Sequence, residues 1–394
     1  MNHAIARGQL SARIVAAALL VATLSLPMGA YEIGLHSIFA GIGFETLFGS
    51  EAVLSLDSHG NPLVAFIDGW LTPYVAVNPL DEPDFQCVDT SGPKQDWLSL
   101  AVSDEGEIHV LYRHCEWFDE EINGEHVRSE LRYATQANNG SWTTEDVVEA
   151  PGETLIGRIF LSETGRPAAL VENGDALVLY RRVGEDNWLE ETITDTRGGC
   201  YVVFSVLHSN GITFVLFDSY SQHTGLHELR VGTLTTDSWR EETIATAPWI
   251  YANPQSMALG WNGELHIAYS RGDSWFPGAV AVHALKEGTD WAESRIVSDA
   301  MATVGGIAID SEGTPYVVLS VAETDAGDGL SIPMSSLLAV KRPSGWAVTK
   351  LLSGESVLAT SIAGPSATGD IYAVVQHFDI EGALTLVTIR RSQP

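Results

Sequence analysis

The chain has 394 residues, with 51 acidic against 21 basic side chains and a formal charge of −30. Such an excess of negative charge excludes nucleic acid and anionic membrane surfaces as natural partners and favours solubility or the attraction of cations. Three cysteines are present, so at least one thiol stays outside any disulfide.

In chain order, Arg7 and Arg13 precede the apolar run Ile14 to Leu26, and Pro27-Met28-Gly29-Ala30 follows. This is the pattern of a secretory signal peptide cleaved near Ala30. The run is shorter than the about 20 residues that span a hydrocarbon core. Residues 31–394 are therefore expected to form one exported, soluble, monomeric domain, secreted or periplasmic.

Glycine then recurs at Gly60, Gly106, Gly165, Gly211, Gly263, Gly313 and Gly369, each in a small-polar turn and each followed by a short apolar run. Units of roughly fifty residues repeated seven times predict a seven-bladed β-propeller, an all-β fold. In Ala52 to Leu56, then Asp57-Ser58-His59-Gly60, then Pro62 to Ile67, two strands flank a tight turn. Asp or Ser opens such a turn through its own backbone, and glycine takes the left-handed position, so the turn acids are read as structural.

A tryptophan marks the second half of the unit. Trp142, Trp188, Trp239, Trp291 and Trp346 stand 22 to 24 residues before the next glycine, each after a polar turn and at the head of a strand. The large ring is expected to pack between blades. Each blade then has strands A and B around the glycine, C before the Trp and D after it. The chain ends on a C strand, Ala383 to Arg390, so Tyr31 to Phe44 is predicted to supply the missing outer strand and close the ring. Cys87 and Cys115 fall near each other in this register and are expected to pair, leaving Cys200 as a small buried hydrophobe. The third residue after the glycine includes His109 and His266, predicted as core histidines and not metal ligands.

The glycine turn, the strand Ile108-His109-Val110-Leu111-Tyr112, then Leu131-Arg132-Tyr133-Ala134 and Gly140-Ser141-Trp142 resemble the repeats of bacterial secreted sialidase-like and lectin-like (BNR-type) propellers. The resemblance covers nearly all of residues 31–394 and implies glycan recognition, by lectins or by carbohydrate-active enzymes. It departs in one respect: the sialidase Asp-box places Trp three residues after the glycine, and no blade here does. An arginine triad with a Tyr/Glu nucleophile does not map onto the chain, so sialidase activity is not carried over.

Function on such a frame belongs to the loops that vary, here those joining B to C and D to A. The longest B-to-C connection is in the second unit, where the glycine-to-Trp interval is 36 residues against 23 in the third. It carries Arg113, His114, Cys115, Glu116 and Trp117; its structural alternative is a disulfide-tied surface flap. The seventh and eighth positions after each glycine are expected to ring the central channel or its mouth, with Asp68, Arg113 and His114, Glu172 and Asn173, Asp218, Ser270 and Arg271, and Gln376 and His377. Aromatic residues Trp70, Trp117, Tyr220, Trp249, Tyr251 and Trp275 lie nearby to stack on sugar faces. The ligand-binding set is thus Asp68, Trp70, Arg113, His114, Glu116, Trp117, Glu172, Asp218, Tyr220, Arg271, Trp275 and His377.

For catalysis, Glu172 and Asp218 are the candidate acid and base of a hydrolase, and His114 with Arg113 those of a lyase. No HExxH, GxSxG, spaced CxxC pair or phosphate-cradling loop occurs, and no ligand spacing, including that of Asp325 and Asp328, supports a metal. No cofactor is expected. The leading expectation is a glycan-binding propeller without chemistry; the alternatives are a carbohydrate-active hydrolase or lyase, and a protein-interaction scaffold with an acidic surface.

Overall fold

The computed structural model describes residues 31–391 apart from 41–51, 69–71, 82, 91–93, 118–126, 137–139, 152–154, 174–175, 185–186, 196–198, 222, 236–237, 274–278, 298–300, 323–332, 356 and 378–382. The signal-peptide reading, Trp70, Trp275, Asp325 and Asp328 lie outside the described residues.

Among these residues every regular element is a strand, and the strands form seven antiparallel sheets arranged as the blades of a propeller. The first strand, β1 (Tyr31–Ala40), belongs to the last blade. Blade 1 is β2 (Val53–Leu56), β3 (Pro62–Ile67), β4 (Pro73–Val77) and β5 (Asp84–Cys87). Blade 2 is β6 (Lys94–Val102), β7 (Ile108–Trp117), β8 (Val127–Gln136) and β9 (Trp142–Pro151). Blade 3 is β10 (Ile156–Leu161), β11 (Pro167–Asn173), β12 (Ala176–Gly184) and β13 (Asn187–Asp195), and blade 4 is β14 (Gly199–Ser209), β15 (Ile212–Ser221), β16 (Leu226–Leu234) and β17 (Trp239–Ala247). In blade 5 the inner strand is broken into β18 (Trp249–Tyr251) and β19 (Met257–Leu259), followed by β20 (Leu265–Gly272), β21 (Val280–Glu287) and β22 (Asp290–Arg295). Blade 6 is β23 (Ala302–Ile309), β24 (Pro315–Ala322), β25 (Pro333–Arg342) and β26 (Gly345–Glu355). Blade 7 is β27 (Val357–Ala363), β28 (Ile371–His377) and β29 (Ala383–Arg391), completed by β1, which pairs antiparallel with β29 from Tyr31↔Arg391 to Ala40↔Ala383. The N-terminal strand closes the ring as its sequence position predicts, and covers the edge that β29 would otherwise expose.

The glycine turns are the A-to-B connections. Gly60 and Gly106 have φ of 82° and 85°, and the N–H of each donates to the carbonyl of Asp57 or Ser103 at 2.9 Å. The Asp57 carboxylate accepts the backbone N–H groups of His59 and Asn61, both at 2.8 Å, and Asp310 does the same for Glu312 and Thr314. These acids hold turns, as expected.

The core lies between blades. Sheets buried on both faces need apolar residues at successive positions, and β3 is buried at all six. One inter-blade layer joins Leu170, Leu177 and Leu179 of blade 3 to Val203, Val215 and Phe217 of blade 4. The repeated tryptophans sit in these seams. Trp188 of blade 3 packs edge-on against Tyr133 of blade 2 and its indole N–H donates to Glu145 at 2.9 Å; Trp346 of blade 6 meets His283 and Ser294 of blade 5 in the same way. His109 is buried and shares a 2.7 Å hydrogen bond with the Tyr133 hydroxyl, while His266 Nδ1 lies 3.0 Å from His283 Nε2. Burial holds His109 down to about 4, with the Arg182 charge assisting, and holds His283 down to about 3. Both predicted core histidines are core residues.

The expected disulfide is a correction: Cys87 is a free thiol. Its sulfur contacts the Asp89 carbonyl at 3.6 Å, and its residue pairs with Tyr74 across β4 and β5, so the group is held inside its own blade. The side chains of Cys115 and Cys200 lie outside the described residues.

The central channel is crossed by side chains of the inner strands. The break between β18 and β19 releases Gln255, whose amide donates to the Leu54 carbonyl of blade 1 and accepts from Ser361 Oγ and, at 2.6 Å, from Ile362 N–H of blade 7. Asn253 donates to the carbonyls of Val304 and Thr360, in blades 6 and 7. On the other side of the ring, the Arg158 Nε–H of blade 3 donates to the Phe204 carbonyl of blade 4 at 2.8 Å, and its guanidinium lies 3.9 Å over the Trp97 ring of blade 2. These polar bonds link all blades but the second, which is tied to blade 3 by the Arg158 stack and by the Ile159 N–H, donating to Ser99 Oγ at 3.1 Å.

Candidate ligand-binding site

Each B strand carries its seventh post-glycine residue close to the B-to-C end, and the same level of the ring is used for different ends in different blades. In blades 5 and 6 it is Ser270 and Ser320, both fully buried, whose hydroxyls accept the N–H groups of Val304 and Ala359 from the inner strand of the next blade, at 2.9 and 2.7 Å. In blade 1 it is Ile67, part of the apolar layer against blade 2. In these three blades the seventh position faces the neighbouring blade. The alternation of a strand, set by the glycine turn, turns this residue sideways.

Blades 3 and 4 depart from that use. Glu172 stands near the end of β11, opposite Ile156 and Leu177, and Asp218 in β15, opposite Val202 and Leu229. The hairpin from β15 to β16 pairs Ser221 with Leu226 and Tyr220 with His227, with Gly225 at φ 68°. His227 Nδ1–H donates to Asp218 Oδ2 at 2.5 Å, and the Tyr220 and His227 rings lie 4.8 Å apart, tilted by 49°. The Asp218 side chain is 7% exposed, against 27% for His227. Asp218 Oδ1 is buried and makes no hydrogen bond of full geometry; the nearest protein donor to the carboxyl apart from His227 is the Ser219 backbone N–H.

Electrostatics follow from that burial. Loss of water raises the Glu172 carboxyl to about 8, and the nearby Asp218 charge adds to the shift. Asp218 is raised by burial too, but the His227 hydrogen bond and charge, and the Ser219 backbone N–H, pull it back. Near neutrality Glu172 is a proton donor beside a carboxylate held by an imidazole, a pair pushed apart by environment. Among the described residues no cluster of three or more His, Cys, Asp or Glu is arranged to hold a metal ion.

The other predicted residues are placed elsewhere. Arg271 reaches across its sheet to Glu293 on the outer strand, with two bonds of 3.0 and 2.8 Å, and Tyr269 joins the same carboxylate. Asp68 accepts the Thr72 N–H at 2.9 Å and organises the B-to-C turn of blade 1. His114 is buried opposite Glu130, and Arg113 pairs with Leu131 in the same ladder. Glu116, Trp117 and His377 lie on β7 and β28, with side chains outside the description. Trp249 stacks on Tyr251, whose ring meets Phe204 edge-on at 6.0 Å.

Of the predicted set the structure brings together Glu172, Asp218 and Tyr220. Sequence reasoning missed His227, although Gly225 four residues after Ser221 is a readable hairpin signal that fixes its pairing with Tyr220. It also missed Trp97 and Arg158. Trp97 has φ 62° at a bulge between Asp96 and Leu98, a left-handed backbone that costs a non-glycine residue about 1–2 kcal/mol.

No protein-family model and no curated protein sequence matches the chain. Solved structures do. The polysaccharide lyase Uly1 aligns over 89% of this chain and 92% of its own, with a TM-score of 0.54 at 9% identity. YCF48 bound to D1 peptide aligns over 95% and 98%, with 0.52 at 11% identity, and the endosialidase of phage phi92 over 91% and 69%, with 0.50 at 11%. The likeness is one of fold.

Proposed function

We propose that this protein is an exported propeller that binds a glycan on the B-to-C loop face, at the junction of blades 3 and 4. The observation that carries the reading is the local departure from the frame. Where blades 5 and 6 place a serine to tie the next blade, blades 3 and 4 place two carboxyls, and the one in blade 4 stands beside an imidazole and a phenol ring. Departures from a repeated structural pattern collect at functional sites. Hydroxyl-bonding groups beside flat rings are what a pyranose requires. The resemblance to sialidase-like and lectin-like repeats, and fold neighbours that include a polysaccharide lyase and an endosialidase, agree with it.

The raised Glu172 carboxyl favours a second reading, a glycoside hydrolase in which Glu172 protonates the leaving oxygen and the Asp218–His227 pair activates water. A glycan-array screen, with each hit incubated and weighed by mass spectrometry, tests both. Binding without a mass change establishes the lectin; a mass gain of water on cleavage establishes the hydrolase. An array without hits overturns the glycan reading and leaves the acidic surface as a protein-interaction face.

A further inference from the structure

Asp218 is more than nine-tenths buried, yet beyond the His227 bond to Oδ2 and the Ser219 backbone N–H its Oδ1 has no donor of full geometry. A buried carboxylate oxygen lacking a donor is unfavourable, and next to a second buried carboxyl it marks a place that a donor from outside can answer. Glu172 occupies the equivalent place on the adjacent blade, close enough for the Asp218 charge to act on its carboxyl. A hydroxyl would answer one lone pair and bring no charge to the Asp218 carboxylate. An ammonium group, with three N–H donors and a positive charge, answers both carboxyls at once. The Tyr220 and His227 rings stand beside it at 49° to each other, and either gives an aromatic face for a sugar. The formal charge of −30 adds a field that draws cations to the surface.

We propose that Glu172 and Asp218 form a subsite for an ammonium-bearing sugar, so that the preferred glycan carries free amino groups; the inference rests on the glycan reading above and names its ligand class. Glu172 keeps its proton while the subsite is empty and releases it when the cation enters, which couples binding to proton release.

The test is calorimetric titration of the purified protein with a β-1,4-linked glucosamine tetramer and its fully N-acetylated counterpart, which differ in charge at the amino position. At about pH 6 both the sugar amine and Glu172 carry their protons. The expected result is at least about tenfold tighter binding of the amine form, with proton release seen as a buffer-dependent heat. Asp218→Asn should bring the two affinities together. Glu172→Gln, a smaller change in shape, should weaken the preference and remove the proton release, and it keeps the test valid if the Asp218 variant does not fold. Glu190→Gln, on the exposed outer strand of blade 3, should change neither. Equal affinities, a preference that survives both substitutions, or binding of neither tetramer overturns the ammonium subsite. The glycan reading survives each of these results as long as the array yields other hits, and falls only when it yields none.

Discussion

Two glycines with the same backbone angle separate the cost of conformation from the cost of space. Gly106 at φ 85° has nothing within 4 Å of where a Cβ would stand, whereas a Cβ on Gly60, at φ 82°, would lie 2.5 Å from the Ala367 nitrogen of the neighbouring turn. Gly106→Ala is expected to lower unfolding stability by about 1–2 kcal/mol from the left-handed backbone alone. Gly60→Ala should cost clearly more, since the blade 1 to blade 7 seam must also move. Denaturant titration of the two variants checks this, and equal losses would contradict it. Glu172 carries the second prediction at this scale. Its carboxyl is raised on folding, so between about 4.5 and 8 the native state holds a proton that the unfolded chain gives up, and stability falls as pH rises through that window. Glu172→Gln should therefore raise the melting temperature at pH above 8 relative to wild type by more than it does below pH 5. An unchanged difference would show that the carboxyl is not held protonated by the fold.

At the scale of elements, the strand that opens with a tryptophan needs room on its neighbour. The Trp239 ring covers Gly232 in the facing strand, where a Cβ would fall 1.9 Å from the ring, and its indole N–H donates to Glu241. Gly232→Ala must expel the ring from the seam between blades 3 and 4 and is expected to cost about 2–4 kcal/mol, the range for disrupting a packed core. Thermal unfolding and loss of near-ultraviolet dichroism would register it. The buried pair His266 and His283 gives the opposite pH dependence to Glu172. Burial keeps both rings neutral in the native state, so stability is complete above about pH 6.5 and is lost as pH falls below it toward the folded values. Because Glu172 acts in the opposite sense over the same range, the check is the stability difference between wild type and His283→Phe; a difference that stays constant from pH 7 to 4 would contradict this. Strand order, glycine turns and the tryptophan seam were legible in the sequence because each is a local requirement repeated at fixed spacing. The Asp218–His227 contact was not, because it depends on the register across one hairpin. Neither was the outward turn of Arg271 toward Glu293, which depends on the outer strand that faces it.

For the whole molecule, the ring is held by its perimeter closure and by its hub. The closure by β1 was readable from a missing fourth strand in the last repeat. The hub was not, since Gln255 and Asn253 act only because the inner strand of blade 5 breaks and presents them to blades far apart in sequence. Gln255→Ala would leave the Leu54 carbonyl and the Ile362 N–H without the bonds they make to this side chain, and should lower unfolding stability by about 2–3 kcal/mol. The rigid frame leaves one face for variation, and the carboxyl pair of blades 3 and 4 lies toward it. The most direct measurement is a hydrogen-exchange footprint of the protein saturated with an array hit. Slowed exchange at the B-to-C ends of blades 3 and 4, around residues 172–173 and 218–228, is the predicted result. Slowed exchange confined to the glycine-turn face, around residues 57–61, 260–264 and 310–314, would contradict it and place the ligand on the opposite side of the propeller.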